Sequence, residues 1–486
     1  MTSRPVAFLG IDIGSSELRA GLVTADGLLL GLERATHEMT VDRTRGWAEQ
    51  DPDAWWTGLV KVIAALRARD DIEIAGIAVD GHGPTMVAVD ALGRPNRPAI
   101  TWLDQRAGAE QAELAAGTGI QGWSLGVLPA ALWLERNEPE SAARTAWYLN
   151  TWEAMTLRLT GVARTSLVGD QAWPSRAAIE SLGIPGSRIA EAVPAGSVAG
   201  PLSEDAGRAL GLRAGIPVIA GVVDAFASFH GGRMLAPGDA IDVGGSAGGF
   251  GVYWDRPVAA AGSFSTAAPL EGLYSVGGAM AATGKALDWL RTAVLDGDLG
   301  VDHLIREAAS VPAGADGLIF LPYLAGERSP IWDPEARGAF VGLTLQHGRA
   351  HLVRAVLEAS ALAIRHVAAP ILAAGVHVNA MRVAGGPARS PAWNQIKADV
   401  TGFPVEVPRI VETAVTGSAI LAAVGVGAHP DLRAGIRAMT TIATRLEPDP
   451  ERAAIYDRAY AAYTSIHPVL SPILEAYRSR DVRTVA

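Results

Sequence analysis

Along this 486-residue chain the spacing of apolar positions switches between a strand period and a helix period, and one arrangement of runs occurs twice. Val6 to Ile13 is almost continuously apolar, interrupted by Asp12, and two more apolar runs follow at Leu18 to Val23 and Leu28 to Leu32, parted by Ala25-Asp26-Gly27. Short apolar runs divided by such a turn predict an antiparallel meander. After Pro237-Gly238 the arrangement returns, with a strand ending at Ile241 and further strands at Gly249 to Trp254 and Leu273 to Val276. Helical spacing takes over at Trp55, Leu59, Val62 and Leu66, behind Asp51-Pro52, where a proline suits the first turn. A longer helix is predicted from about His351 to Ala373, with Leu352, Val356, Leu357 and Leu362 on one face, and shorter ones at Tyr148 to Leu159 and from Asp224, Pro391, Ala414 and Glu451. Strands are predicted at Ile74 to Asp80, Val218 to Val223 and Met381 to Ala384.

Each half opens on the same short pattern of apolar, Asp, apolar, Gly, small, Ser: Ile11-Asp12-Ile13-Gly14-Ser15-Ser16 and Ile241-Asp242-Val243-Gly244-Gly245-Ser246. A glycine- and hydroxyl-rich turn after a strand can aim backbone N–H groups at phosphate oxygens. Either stretch alone also reads as an ordinary strand-to-turn junction. Their recurrence points to two related halves, each offering a phosphate turn to a shared cleft, and a cleft between domains is a common ligand site.

A chain of this length exceeds a single core, so two α/β domains are expected, with the division at 1–236 and 237–486. The net charge of −10 argues against a nucleic-acid partner, which wants a basic face, and favours a small-molecule ligand. The chain has no cysteine, so disulfides, thiolate metal sites and a cysteine nucleophile are excluded. Asp12 breaks the only apolar run near the N-terminus and no stretch of about 18 apolar residues occurs, so a cytoplasmic protein without a membrane partner is expected.

Several positions carry candidate chemistry. Asp12, at a strand end beside a phosphate turn, suits Mg²⁺, which takes one or two carboxylates with phosphate oxygens; a turn-capping role is the alternative. Loops at the carboxyl ends of strands hold substrate groups in α/β proteins, which singles out His82, Gly83 and Pro84. Trp102, Asp104 and Arg106 combine an aromatic face with an acid and a guanidinium, a set suited to carbohydrate, although Asp104 could equally cap the following helix and a local Asp–Arg pair is a common structural element. Asp224, between an apolar strand and a helix of small residues, is a candidate general base or an N-cap. Gly385-Gly386 could let a flat base lie against the backbone, or form a plain strand-to-helix turn.

Taken together these residues resemble the FGGY carbohydrate kinases of the actin-like, sugar kinase and heat-shock protein superfamily. The resemblance rests on Gly10 through Ser16, on Trp47 through Trp56 with its Gln-Asp-Pro-x-x-Trp-Trp, on Gly326-Glu327-Arg328-Ser329-Pro330, on Gly338 through Glu358, and on Gly385 through Thr401. The run Gly385 to Val405 and the loop Tyr323 to Pro330 look most like xylulose kinases. The resemblance implies two ribonuclease-H-like domains around a cleft and ATP-dependent phosphorylation of a sugar or polyol hydroxyl. It implies Asp224 as the base, with Asp12 organising Mg²⁺ and Ser15, Ser16 and Arg19 near the transferred phosphate behind Gly14. Gly244, Gly245 and Ser246 would form the second phosphate turn with Gly284 nearby, and Gly385, Gly386 and Ser390 would lie at the adenosine. A homodimer is a further expectation from the resemblance.

The chain departs from the usual xylulose-kinase pattern. His82-Gly83-Pro84 stands where Gln-Met-His is usual, Asp224-Ala225 where Asp-Asn is usual, Gly245 where Thr is usual, and Ala130 where Lys is expected. Gly83 is expected to leave room for a different or bulkier ligand. The leading expectation is a kinase for a pentulose such as xylulose, with another ketose, a polyol or an aldonic acid as alternatives. A non-catalytic ATP- or sugar-binding protein and an actin-like ATPase are the readings from other classes.

Overall fold

The computed structural model describes residues 4–42, 44–67, 72–120, 122–245, 247–295 and 297–479. Its contacts divide the chain into two units. The first holds Met1–Leu235, Thr266–Gly272 and Glu412–Thr441; the second holds Ala236–Ser265, Leu273–Val411 and Ile442–Ala486. The sequence-based division at 236/237 falls one residue from the main crossing, but the units are not continuous in sequence. The late segment joins the first unit because its helix, Thr413–Gly425, lies flat on the sheet: a Cβ on Gly10 would sit 2.0 Å from the Val415 carbonyl oxygen, so the close approach requires glycine there.

The first unit is built on β1 (Val6–Ile13), β2 (Glu17–Thr24), β3 (Leu29–Thr36), β4 (Glu73–Gly81), β5 (Val198–Pro201) and β6 (Pro217–Ile219). They form one sheet in the order β5-β6-β4-β1-β2-β3. β1, β2 and β3 are the antiparallel meander expected from the apolar runs, while β1, β4 and β6 run parallel and β5 closes the edge antiparallel. β1 is buried on both faces from Ala7 onward, as a near-continuous apolar run requires. α1 (Pro52–Arg67) buries Trp55, Leu59, Val62 and Leu66 against this sheet, so both tryptophan and leucines there are core. Tyr148 and Leu149 belong to a short strand, Trp147–Leu149, and the helix predicted from Tyr148 begins only at α2 (Thr151–Thr160), after an Asn150–Glu153 capping box. α3 (Asp224–Gly231) follows β6.

The second unit repeats the topology with different side chains. β7 (Asp239–Asp242), β8 (Gly248–Trp254), β9 (Tyr274–Met280), β10 (Ala380–Val383), β11 (Val405–Pro408) and β12 (Ile442–Leu446) are neighbours in the order β9-β8-β7-β10-β11-β12. Again a meander leads into two parallel pairings, and an antiparallel strand closes the edge. α4 (Arg349–Ala373) is the long helix expected from the sequence. Among the described residues it alone is long and apolar enough to cross a membrane, yet most of it is buried as the core helix of this unit. α5 (Pro391–Thr401) packs beside it and carries the residues that matter most below.

Candidate active site

In the first unit β6, β4 and β1 are adjacent and parallel, so their carboxyl ends share one edge of the sheet. That edge gathers Asp12, Asp80 and Asp224. Asp12 on β1 pairs in register with Asp80 on β4, and the bridge between Gly81 and Val223 brings the start of α3 beside them. Asp12 and Asp80 are buried, at 1% and 0% exposure, whereas Asp224 is half-buried. Ser418 Oγ donates to Asp80 Oδ2 at 2.6 Å, and Asp80 Oδ1 is buried with no hydrogen-bond partner. The counter-charge is Arg19, the register partner of Asp12 on β2, whose guanidinium lies 2.6 Å from Asp12 Oδ2. The Asp12 charge raises the Arg19 pKa further, so this cation stays on.

Carboxylates outnumber cations here, and the consequence falls on the other two acids. Burial first, then the Asp12 charge, holds Asp80 well above the usual carboxylate range. Burial and Asp12, opposed by the Ala225 N–H and Arg19, push Asp224 up to about 7. That N–H donates to Asp224 Oδ1 at 2.7 Å and leaves Oδ2 for another donor. A carboxylate with a pKa near ambient pH is a far stronger base than an ordinary one, yet still half ionised.

The first turn is braced from below. Gly14 N donates to Glu17 O at 3.0 Å, Gln50 Nε2 donates to Ser15 O at 2.7 Å, and the Trp102 indole donates to Ser15 Oγ at 3.0 Å. His37 Nε2 lies 2.8 Å from Gly14 O, and Ser16 is left exposed at the tip. The structure thus brings Gly14, Ser15, Arg19 and Trp102 together with the three acids. His82 joins them: its N–H donates to Ile13 O at 2.9 Å, its Nδ1 meets Thr85 Oγ1 at 2.9 Å, and Nε2 is buried without a hydrogen-bond partner. Burial drives its pKa down to about 3, so the ring is neutral.

Two expectations change here. Gly83 does not enlarge the pocket, because the Trp152 ring occupies that space and a Cβ on Gly83 would lie 2.9 Å from it; Trp152 is fixed by its indole donating to Ser166 Oγ at 2.8 Å. Asp104 and Arg106 are bound to each other. Arg106 donates through Nε and NH2 at 2.8 and 2.7 Å, Ala48 N donates to Asp104 Oδ2 at 2.6 Å, and both side chains are 1% exposed. Arg106 also lies against the rings of Trp47 and Trp133, which meet edge to face, and is paired with Glu49 at 2.9 Å. This pair staples the loop, and the Arg106 charge is matched by Asp104 and Glu49, although NH1 is buried without a hydrogen-bond partner. Pro84 and Ala225 flank His82 and Asp224 in the chain and add no charge to the edge.

The second unit presents its own turn. Gly244 has φ 51° and Gly245 φ 112°, both in the region that favours glycine. A Cβ on Gly244 would lie 2.2 Å from Ala384 O, so this turn is pressed against Ala384-Gly385, and Gly385 itself has φ 68°. Gly284 N donates to Ala247 O at 3.2 Å, placing the helix Thr283–Trp289 at the same turn. Ser390 accepts from Trp393 N at 3.3 Å and caps α5, and Gly386 is exposed beside it. Ser246 lies outside the described residues. The Glu327-Arg328 loop is fastened to β9, with Ala281 N donating to Glu327 Oε1 at 2.8 Å and Arg328 donating to Met280 O at 2.6 Å.

Among the described residues no three His, Cys, Asp or Glu are grouped to enclose a metal ion unaided. Mg²⁺ does not need such a cage, because it keeps water and phosphate oxygens in its shell. Asp12 together with the unpartnered Oδ1 of Asp80 is a hard-oxygen set that fits it. Asp80 was not singled out from the sequence, although an acid at the end of a strand entering a glycine turn was the available signal. Lys397 was missed as well; it lies mid-helix and nothing nearby in sequence marks it.

Comparison with known proteins gives a consistent result. The model of the FGGY family of carbohydrate kinases matches as its N-terminal domain over residues 7–231 and as its C-terminal domain over residues 243–426. The chain is 29% identical to the xylulose kinase of Escherichia coli K12, covering 96% of this chain and all of that one. It is 32% identical to a glycerol kinase of Symbiobacterium thermophilum over 86% of this chain and 89% of that one. The solved structure of a xylulose kinase from Rhodospirillum rubrum superposes with a TM-score of 0.78 at 31% identity, covering 96% and 100% of the two chains.

Proposed function

The chain belongs to the FGGY family of carbohydrate kinases, and from that membership we propose that it transfers the γ-phosphoryl group of ATP to a hydroxyl of a neutral ketose, xylulose or a close relative. The observation that carries the reading is Asp224, half-buried at the carboxyl edge beside Asp12, with its pKa pushed up to about 7. Asp224 accepts the proton of the attacking hydroxyl as that oxygen bonds to the γ-phosphorus. The bond from γ-phosphorus to the bridging oxygen breaks, ADP leaves, and Asp224 returns its proton to solvent. Arg19, held by Asp12, supplies positive charge beside the Ser15-Ser16 turn, and catalysis in such a site is mostly positioning and charge neutralisation. Asp12 and Asp80 would hold Mg²⁺, which supplies charge neutralisation on the phosphates when bound with ATP. The nucleotide belongs to the second unit, with phosphates at Gly244-Gly245 and adenosine at Gly385-Gly386.

The spent charges of the Asp104–Arg106 staple favour a neutral sugar over an aldonic acid. Arg106 is paired with Asp104 and Glu49, and Arg97 with Glu49 and Glu138, so the charge of each guanidinium is already matched by carboxylates of this chain. Neutral His82, with Nε2 unsatisfied, offers a hydrogen bond to a hydroxyl instead. The test is ADP release with Mg-ATP across pentuloses, hexuloses, polyols and aldonic acids. A rise with one neutral ketose is expected. A rise only with aldonic acids, or with none, sinks the substrate assignment.

A further inference from the structure

The second unit contains a buried ion pair that the phosphoryl-transfer reading does not use. Lys397 Nζ lies 2.6 Å from Asp242 Oδ2, with the two side chains 2% and 5% exposed. Asp242 is the counterpart of Asp12, and its other oxygen, Oδ1, accepts from Gly244 N at 3.2 Å. Its backbone is also engaged, since Ala384 N donates to Asp242 O at 3.1 Å. Lys397 comes from the middle of α5, the helix that Ser390 caps directly after the Gly385-Gly386 turn. Asp242 therefore meets the phosphate turn and the adenosine helix through its carboxylate, at Gly244 and Lys397, and the adenosine turn through its backbone carbonyl, at Ala384.

We propose that Lys397 is a positioning residue for the nucleotide: by holding and neutralising Asp242 it fixes the Gly244-Gly245 turn in its phosphate-facing form and ties that turn to the adenosine segment. The inference rests on the reading that the second unit carries ATP. Two physical arguments support it. A negative charge left under an anion-binding turn would repel phosphate, and Lys397 removes it. Gly244 and Gly245 have little intrinsic preference for their positive φ values, so an oriented acceptor is needed to hold the turn. A buried ion pair is weak evidence of stability in itself, because an apolar pair of similar volume often serves as well. Its conspicuous cost is better explained by what it orients.

The test separates positioning from stability. Lys397→Met leaves Asp242 buried and unpaired and is expected to lower Tm, so the informative protein is the double variant Lys397→Met/Asp242→Leu, in which an apolar pair restores packing. MgADP binding by calorimetry and the Michaelis constants for ATP and sugar are measured on wild type and double variant. The expected result is a Tm close to wild type, with the MgADP Kd and KM for ATP raised about tenfold or more, the scale seen when a ligand-orienting group loses its support. KM for the sugar stays unchanged. A double variant with wild-type Tm and wild-type MgADP affinity overturns the inference, as does a double variant that loses stability but binds MgADP normally. If wild-type protein itself binds no MgADP, the nucleotide reading fails and the inference falls with it; if wild type binds and the double variant binds equally, the inference alone fails.

Discussion

The turns after β1 and β7 share a pattern and a place in the same sheet topology, yet their aspartates meet different charges. Asp12 faces Arg19, a partly exposed guanidinium, and stands beside two more acids. Asp242 faces Lys397, which is almost fully buried, and has a turn N–H as its other partner. The first site therefore keeps surplus negative charge, which raises the proton affinity of its neighbours and suits a cation. The second is neutralised and suits an anion. A local motif fixes where a carboxylate sits; the neighbouring strands and helices decide what it does.

The largest way to break this contrast is Asp224→Asn. Loss of a general base is expected to lower kcat about 10²–10⁴-fold, with KM for ATP little changed. Asp12→Asn tests the charge surplus itself. Asp224 must be ionised to act, so the wild-type kcat/KM for the sugar should rise with pH through about 7. Removing the Asp12 charge lets Asp224 ionise at lower pH, and the acid limb of the residual activity is expected to move down; an unmoved limb contradicts the coupling. Gly83→Met comes next: its side chain collides with Trp152, and overpacking of this kind costs about 1–3 kcal/mol. Pairing it with Trp152→Ala should recover part of the loss in a denaturant titration.

Gly245→Thr, which would supply the hydroxyl usual in relatives, is expected to lose about 1–3 kcal/mol because a β-branched residue is forced to φ 112°. The last effect is on the pH dependence of stability. Asp224 binds its proton more tightly folded, at about 7, than unfolded at about 3.9, so its burial costs stability that grows as pH rises from about 4 to about 7 and persists above. Asp224→Asn should thus raise Tm by about 4 °C or more at pH 8 and not at pH 4. A gain at pH 4 would reverse the sign.

Much of this was legible in the sequence, and the limits have physical causes. The two meanders, the helix of Trp55 and the long core helix follow from their apolar runs, because β1 and the long helix are buried nearly all round and the helix of Trp55 buries one face. Asp12 and Asp224 were visible as acids at strand ends. Asp80 was in view only as the end of a strand; its weight comes from register with Asp12 across β1 and β4, which no local pattern encodes. Lys397 meets Asp242 from 155 residues away. For Asp104 and Arg106 the sequence offered both a carbohydrate set and a local Asp–Arg pair, and the structure shows the pair, closed on one loop beside Trp47 and Trp133. Gly83 was read as empty space, and a tryptophan from α2 fills it. For Asp80, Lys397 and Gly83 the missing information was a partner distant in sequence.

The most direct measurement is sugar-dependent ADP release by Asp224→Asn and by Lys397→Met/Asp242→Leu, each with full ATP saturation curves beside wild type. The expected result is a clean division: the first variant loses kcat and keeps its KM for ATP, and the second keeps most of its kcat and loses ATP affinity. Equal losses of kcat in both, or an Asp224→Asn enzyme that turns over like wild type, would contradict the assignment of proton transfer to the first site and nucleotide holding to the second.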